Sequence, residues 1–221
     1  MSAVDIVLFF SKFAKDNEEG LKASEYDKYV FVFLSTLKSA DCIFVGNKDN
    51  KECLHMAKVY DEIKTSTFMA GKPKVFIIQA DDEGMVKDIE VPQVPQADRK
   101  LPQDADRLII MSTLPQILAN IVDKDLGPLD LPTPNLESLI RAVQEKEQSL
   151  PISKQSQASF LIQAFVAVVK QCREDDKEVF TNTPYILKMV DERLDPFRAR
   201  FPHIVFPLPL VTSTLTKPLK F

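Results

Sequence analysis

Lys74-Val-Phe-Ile-Ile-Gln-Ala80 is a run of seven residues rich in β-branched and aromatic side chains, and it directly follows Pro73. Such an unbroken apolar run predicts a strand that is buried on both faces, as in parallel sheets, and a strand tolerates proline at its start. Two more runs have the same character, namely Tyr29-Val-Phe-Val-Phe-Leu-Ser35 and Arg107-Leu-Ile-Ile-Met-Ser112. These three runs decide the fold class, because they place buried strands at intervals along the chain.

Segments of helical character separate these strands. The sequence predicts helices at five places: Val4 to Phe13, Cys53 to Met69, Pro134 to Gln148, Ser159 to Arg173 and Thr183 to Leu194. It also predicts short strands at Cys42 to Val45 and Val211 to Thr216, and an irregular, proline-rich stretch from Pro196 to Pro209. Alternating strands and helices indicate a layered α/β domain with a mainly parallel sheet.

Composition excludes several classes of function. The 221 residues carry 28 basic and 32 acidic side chains, a net charge of −4, which argues against a nucleic-acid-binding protein. Only five glycines are present and neither GxGxxG nor GxxxxGK[ST] occurs, so no phosphate-binding loop and no cofactor are expected. The longest apolar tract, Ala158 to Val169, is shorter than the roughly 20 residues of a membrane span.

The cysteines and the first residues bear on the compartment. Three cysteines, Cys42, Cys53 and Cys172, form no CxxC motif, so neither a disulfide framework nor a zinc site is expected. The first residues carry Asp5 and no basic segment, and they are not interpreted as a signal peptide. A cytoplasmic location is therefore expected.

The tract Lys72-Pro-Lys-Val-Phe-Ile-Ile-Gln-Ala-Asp81-Asp-Glu-Gly84 resembles the caspase segment KPKxFxIQACRG, in which a strand carries the nucleophilic cysteine. Four more tracts follow in caspase order. Asp27 to Leu37 resembles the strand that ends in Ser-His-Gly, and Ala105 to Pro115 resembles ADxLIxxSTxP at the start of the small subunit. Ser159 to Gln163 resembles the SxxIQ helix, and Val211 to Phe221 resembles the terminal VSMLTKxLxF strand.

The resemblance implies a caspase-like three-layer α/β/α sandwich with a mostly parallel sheet, formed by a single domain over residues 1–221. Residues 1–80 correspond to the large subunit, 81–105 to the intersubunit linker and 106–221 to the small subunit. The small-subunit part has an inserted helix near 134–148, where the family's substrate groove is expected. The chain is expected to be N-terminally truncated relative to the family, which would leave the Tyr29 to Ser35 strand at a sheet edge that some other segment must cover.

The residues that carry caspase catalysis differ here. Asp81 stands in place of the cysteine, and a carboxylate cannot form the acyl-enzyme by the Cys–His route. Thr36 stands in place of the histidine and has no group that titrates near neutrality. Leu37 replaces the oxyanion-hole glycine, and the apolar Ile121 lies nearest to the position of the substrate-reading arginine. The resemblance thus implies a catalytically inactive homologue, a pseudocaspase.

Two further groups of residues resemble relocated sites, and each also has a simpler interpretation. Cys53 and His55 are two residues apart, so they face different sides of the predicted helix and would align only on a strand. The preferred interpretation is a core cysteine and a surface histidine. The acidic run Asp81-Asp82-Glu83 is interpreted as a solvated loop, with a metal site as the alternative, and no metal is expected.

The resemblance also indicates partners. In caspases, the strand that matches Val211 to Thr216 pairs with its counterpart in a second protomer. Residues Val211, Thr212, Ser213, Thr214, Leu215 and Thr216 are therefore the expected dimer interface. Asp104, which precedes Ala105, resembles a caspase cleavage site, with a chance match as the alternative.

Three hypotheses follow. The first is a non-catalytic homologue that forms a heterodimer with an active caspase in apoptosis, and activation of the partner is preferred over inhibition. The second is an active Asp-specific cysteine endopeptidase with unusual residues. The third is a homodimeric scaffold in the death pathway. The sequence identifies neither the partner caspase nor the sign of regulation.

Overall fold

The structure is a computed structural model that describes residues 1–15, 26–39, 41–46, 51–82, 106–120, 135–147, 158–175, 177, 182–216 and 219–221. The elements follow the order α1 (Ala3–Lys15), β1 (Tyr29–Ser39), β2 (Cys42–Gly46), β3 (Lys51–His55), α2 (Met56–Lys64), β4 (Lys74–Asp82), β5 (Arg107–Ser112), a 3₁₀ helix (Gln116–Asn120), α3 (Leu136–Glu147), α4 (Phe160–Glu174), α5 (Thr183–Arg200) and β6 (Leu210–Ser213). The predicted α/β fold class is confirmed.

The six strands form one sheet in the order β3-β2-β1-β4-β5-β6. The starts of β1, β4 and β5 lie side by side, since Tyr29 donates to the carbonyl of Pro73 at 2.9 Å and Lys74 donates to that of Asp106 at 2.8 Å. These three strands are therefore parallel. The other three pairs of neighbouring strands are antiparallel. These are β1 with β2, β2 with β3, and β5 with β6, in which Thr214 after the end of β6 faces the start of β5.

The structure corrects the expected position of β1. This strand lies between β2 and β4 rather than at an edge, because the β2–β3 hairpin extends the sheet beyond it. Leu37 of β1 pairs with Ile43 of β2, so the hairpin covers the C-terminal part of the strand. The chain itself thus supplies the cover that the sequence left unassigned.

The expectation that β1 is buried on both faces is also wrong. Its residues alternate, with Phe31 and Phe33 directed to the core while Val32 and Leu34 are exposed by 52% and 63%. By contrast, β4 is buried from Lys74 to Ala80, as its unbroken apolar run predicts. An apolar run alone therefore does not distinguish a strand covered on one face from one covered on both.

The chain divides into two compact units. The first comprises the described residues of Met1–Ala80, Gln93–Met111 and Val211–Lys217. In it, α1 and α2 pack on one face of the sheet: the ring centroids of Phe10 and Phe31 are 5.5 Å apart, and those of Tyr60 and Phe76 are 4.9 Å apart. These aromatic rings pack in one cluster with buried aliphatic side chains of the same unit, such as Ile63 and Ile78.

The second unit comprises the described residues of Asp81–Pro92, Ser112–Leu210 and Pro218–Phe221. Helix α4 begins at Ser159, whose hydroxyl accepts the N–H of Ile162 at 3.3 Å as an N-cap. Helix α4 packs against α5, with the rings of Phe160 and Phe197 6.5 Å apart. Helix α3 lies within the range predicted from 134 to 148.

Helix α5 is longer than predicted, and it continues through Pro196 to Arg200. Leu194 and Phe197 on either side of the proline are fully buried, so packing holds the helical conformation despite the missing backbone donor. Among the helices of the described ranges, none combines the length and apolarity needed to cross a bilayer.

Candidate functional site

Asp81 lies near the end of β4, where the resemblance places the family's cysteine. Its Oδ2 accepts the backbone N–H of Gln116 at 3.1 Å, and the N–H of Asp82 donates to the carbonyl of Thr113 at 3.2 Å. Gln116 is the first residue of the 3₁₀ helix, so the carboxylate binds a donor that the helix leaves without an internal partner. Asp81 therefore has a structural role as an acceptor at the start of this helix.

Thr36 lies in β1 and is half-buried. A hydroxyl group neither accepts a proton near neutral pH nor forms an imidazolium, so it cannot act as a general base in the way histidine does. Thr36 belongs to the first unit and Asp81 to the second. Ile121 and Asp104 lie outside the described residues, as does most of the predicted 81–105 linker.

The interpretation of Cys53 and His55 is wrong in part: His55 is exposed, as expected, but Cys53 is half-buried rather than in the core. Both residues lie on β3 and not in the helix predicted from Cys53 to Met69, and i and i+2 positions of a strand share a face. The Sγ of Cys53 is 3.9 Å from the Nε2 of His55. The pair lies on the outermost strand of the sheet, not on the central strands where a caspase carries its nucleophile.

Cys53 is also joined to Cys42. The two sulfurs are bonded across the β2–β3 hairpin, and the Cα atoms are 6.0 Å apart, within the range that disulfides span. This corrects the expectation that the cysteines form no disulfide. A bonded sulfur is not a thiolate, so in this state Cys53 cannot act as a nucleophile toward a substrate.

The sequence contained a signal for this cluster that the helical interpretation missed. Gly46 and Asn47 are turn-forming residues between Cys42-Ile-Phe-Val45 and Lys51-Glu-Cys-Leu-His55. Two short segments around such a turn are typical of a β-hairpin, and pairing them places cysteines 11 residues apart on adjacent strands.

The third cysteine, Cys172, is buried in the second unit beside a cavity of about 430 Å³ between α4 and α5. Burial, followed by the nearby charge of Asp175, raises the pKa of its thiol. The cavity is lined by Ala167, Val168, Gln171, Cys172, Asp175, Lys177, Asn182, Tyr185 and Met189, and no histidine is among them. Cys172 therefore has no imidazole to activate it at this cavity.

The predicted interface strand is shorter than expected, since β6 ends at Ser213 rather than Thr216. It is the last strand in the sheet order. Thr214 exchanges hydrogen bonds with β5: its N–H donates to the carbonyl of Arg107 at 2.7 Å, and its carbonyl accepts the N–H of Asp106 at 2.9 Å. Asp106 and Arg107 together thus oppose the single residue Thr214, which is a β-bulge.

This bulge determines which way the backbone of β6 points. The backbone N–H and C=O of Thr214 both point to β5. Because these groups point to opposite sides on successive residues of an antiparallel strand, those of Val211 and Ser213 point to the open side of β6. Leu210, the first residue of β6, is 65% exposed, and Leu208 just before the strand is exposed as well. The open side of β6 therefore combines outward backbone groups with exposed apolar side chains.

Comparisons with known proteins agree with this architecture. Residues 10–220 match the sequence model of the family described as Caspase domain. The structure of pro-Sf-caspase-1 is 18% identical with a TM-score of 0.62, and the match covers 99% of this chain and 72% of that one. The crystal structure of caspase-1 from Spodoptera frugiperda is 17% identical with a TM-score of 0.53, covering 100% of this chain and 72% of that one.

No curated protein sequence matches the chain. The two structural likenesses, at under 20% identity, concern the fold alone. The family match, however, extends over nearly the whole sequence, from α1 to the penultimate residue. The chain belongs to the caspase-domain family.

Proposed function

We propose that this chain is a caspase homologue without peptidase activity, which regulates an active caspase in apoptosis by pairing with it through β6. The observation that carries the proposal is the hydrogen bond between Asp81 and the N–H of Gln116. A peptidase of this family requires a nucleophile at the position of Asp81, and this hydrogen bond gives the carboxylate a structural role instead.

Thr36 supports the same conclusion from the first unit. A peptidase of this family needs a group that takes the proton from the nucleophile and returns it to the leaving amine. Thr36 stands at the position of that group and cannot exchange a proton near neutral pH. Ile121, at the position nearest to the substrate-reading arginine, also lacks the charge that would bind an aspartate side chain.

The open side of β6 supports strand pairing. An edge strand with outward N–H and C=O groups is a template for a strand of another chain, and exposed Leu210 adds apolar area to such a contact. The partner strand is that of an active caspase in a heterodimer, or that of a second copy in a homodimer. We prefer the heterodimer, because a chain without catalytic residues acts in this pathway only through a chain that has them.

The chain activates its partner if it binds the active conformation of that caspase more tightly, and it inhibits the partner if it binds the inactive conformation more tightly. We prefer activation. The proposed contact is a sheet edge, which stabilises the partner's fold, whereas nothing in the described residues imitates a substrate that would block its active site. A chain of this kind would act in the cytoplasm, where its partner caspase acts.

The proposal is tested by mixing the purified chain with an active caspase from the same organism. We expect a complex of summed mass in light scattering and a rise in the partner's peptidase rate that saturates with concentration. Ser213→Pro is the informative variant, because proline removes an N–H that faces the open side of β6 and leaves the bonds to β5 intact. It should abolish the complex, whereas Val166→Ala, which shortens an exposed apolar side chain of α4, should not. An unchanged partner rate at saturation with the wild-type chain would refute regulation by pairing.

The two alternatives predict different results. An active endopeptidase would cleave peptides with an acidic P1 residue, and the wild-type chain should show no turnover. The double variant Asp81→Cys, Thr36→His introduces the family's cysteine and histidine and is the positive control of this assay. A homodimeric scaffold would have twice the chain mass alone and would not change in mass when an active caspase is added.

We further propose that residues 1–221 act as one caspase-like domain, in which 81–105 is the linker between parts equivalent to the two subunits. Asp104 is then the cleavage site for the partner caspase. Incubation with that caspase should produce two fragments divided after residue 104, and Asp104→Ala should leave the chain intact. Cleavage at the same rate in the variant would exclude Asp104 as the site.

A further inference from the structure

Cys42, Cys53 and His55 place three soft metal ligands on one face of the β2–β3 hairpin. Cys42 and His55 are directly paired across the two strands, and Cys53 precedes His55 by two residues on the same strand. Residues in these positions point to the same side of a ladder. The opposite side carries Ile43 and Leu54, which are paired with each other and belong to the core around α1.

A backbone hydrogen bond fixes the end of the hairpin at which Cys42 and His55 are paired. Beside Cys42, the carbonyl of Asp41 accepts the N–H of Met56, the first residue of α2, at 3.0 Å. His55 precedes that helix and its side chain makes no capping hydrogen bond. Its imidazole is therefore not required for the helix start, and its Nε2 lies 3.9 Å from the sulfur of Cys53.

The ligand atoms have the separations of a zinc site. The two sulfurs and a nitrogen of His55 all lie within 4.8 Å of one another. In tetrahedral zinc with Zn–S bonds of about 2.3 Å and Zn–N bonds of about 2.0 Å, a sulfur and a nitrogen lie roughly 3.6 Å apart. The Cys53–His55 distance is close to this value. The two sulfurs, which are bonded in the structure, would separate to about 3.8 Å around the ion.

We propose that the reduced hairpin binds one Zn²⁺ through the Sγ atoms of Cys42 and Cys53 and the Nε2 of His55. Within the described ranges, no fourth His, Cys, Asp or Glu joins the group, so the remaining position is open to water or to a ligand from a partner. Two thiolates and one imidazole favour zinc over calcium or magnesium, which require oxygen ligands. This site is distinct from the positions of Asp81 and Thr36.

Zinc binding and the disulfide exclude each other, because the same two sulfurs serve both. A dithiol reductant gives two electrons and two protons to the Cys42–Cys53 bond and becomes a disulfide itself. The resulting thiols then lose two protons as they bind Zn²⁺. In the reverse direction a disulfide oxidant takes two electrons from the two zinc-bound thiolates, accepts two protons from water and leaves as two thiols. The Cys42–Cys53 bond forms again and Zn²⁺ is released, so the hairpin holds zinc only under reducing conditions.

The burial of the three residues differs in a way that suits exchange of the ion. Cys42 is 1% exposed, Cys53 is half-buried and His55 is exposed, so the site opens to solvent on the side of the histidine. Removal of His55 therefore changes the site without creating a cavity in the core. This makes His55→Ala the variant that tests the metal site with the least effect on folding.

Zinc titration of the full chain against a chromophoric chelator tests the proposal. The reduced wild-type chain should bind one Zn²⁺, and the chain oxidised at Cys42 and Cys53 should bind at least tenfold more weakly. His55→Ala should lose at least tenfold in affinity, because it removes a ligand, and loss of a group that only supports a ligand already costs roughly tenfold to a hundredfold. His203→Ala and Cys172→Ser are matched controls from the second unit, and both should bind zinc as the wild type does.

Cobalt substitution gives a second readout that does not depend on affinity. Co²⁺ bound by two thiolates produces a sulfur-to-metal charge-transfer absorption, which should appear in the reduced wild type and disappear in Cys53→Ser. Absence of tight zinc binding in the reduced wild type would overturn the proposal. Wild-type affinity in a folded His55→Ala chain, or loss of binding in either control variant, would overturn it as well.

Discussion

The carboxylate of Asp106 accepts two hydrogen bonds from Thr216, one from its backbone N–H at 3.0 Å and one from its hydroxyl. Asp106 is 3% exposed and has a φ of +64°, the left-handed conformation that aspartate tolerates better than most residues. It is the first residue of the bulge that joins β5 to β6. One buried side chain thus fixes both the turn into β5 and the end of the strand proposed to bind a partner.

Asp106→Ala should therefore destabilise the chain by about 2–4 kcal/mol, because it removes two hydrogen bonds to a carboxylate and places alanine in the left-handed region. Asp106→Asn keeps one acceptor and tolerates the same backbone conformation, so its loss should be about 1 kcal/mol. Urea unfolding measures both values. A stability of Asp106→Ala within about 0.5 kcal/mol of the wild type, the range of ordinary surface changes, would contradict this role.

Pro196 offers a prediction in the opposite direction. It is exposed, it lies inside α5, and it removes one backbone donor from the helix. Pro196→Ala should stabilise the chain by about 1–2 kcal/mol, the gain in helix propensity less the added freedom of the unfolded chain. Pro184→Ala is the matched control, because Pro184 lies in the first turn, where proline costs little. Thermal unfolding measures the change. A lower melting temperature for Pro196→Ala than for the wild type would show that the proline fits this helix.

A strand is predictable from the sequence where its own residues form an apolar run. Both β4 and β5 follow from their apolar runs, and β2 follows from Cys42 to Val45. The failures concern elements that depend on distant partners. Lys51 to His55 has no strand signal in its own composition; the signal lies in the turn residues before it, and its pairing with β2 makes it a strand. Helix α5 passes Pro196 because Leu194 and Phe197 are buried against the rest of the second unit.

The candidate site was predictable to a similar extent. The positions of Asp81 and Thr36 follow from motifs that can be read along the chain. The hydrogen bond from Gln116 to Asp81 joins residues 35 apart in sequence, and only the folded chain reveals it. The cluster of Cys42, Cys53 and His55 likewise depends on the register of the hairpin. The helix predicted from Cys53 to Met69 leaves no hairpin and hence no register to assign.

Phe76 is the central side chain of the first unit and the natural place to test its packing. It is fully buried, and its ring centroid is 5.0 Å from that of Phe31 and 4.9 Å from that of Tyr60. Phe76→Ala should cost about 3–5 kcal/mol in urea unfolding. Val32→Ala, on the exposed face of β1, should change the stability by less than about 0.5 kcal/mol. A large loss in Val32→Ala would indicate that another part of the chain covers that face.

Tyr60 makes the stability depend on alkaline pH. Burial raises the pKa of its hydroxyl to about 12, an effect that the positive charge of Arg107 reduces but does not cancel. The guanidinium carbon of Arg107 lies 4.5 Å from the centroid of the Tyr60 ring. In the unfolded chain the hydroxyl has its ordinary pKa of about 10. Between these two values the folded chain keeps a proton that the unfolded chain has lost, so stability is fully present below pH 10 and is lost as the pH rises toward 12.

Tyr60→Phe removes this hydroxyl and should flatten the decline in stability between pH 10 and pH 12, as measured by urea unfolding at each pH. A shallower decline should remain, because burial also raises the pKa of Tyr29. Tyr185→Phe is the control, since Tyr185 is exposed by 58% and should leave the wild-type decline unchanged. If Tyr60→Phe loses stability as steeply as the wild type, the buried hydroxyl is not the source of the pH dependence, and titration of other groups must account for it.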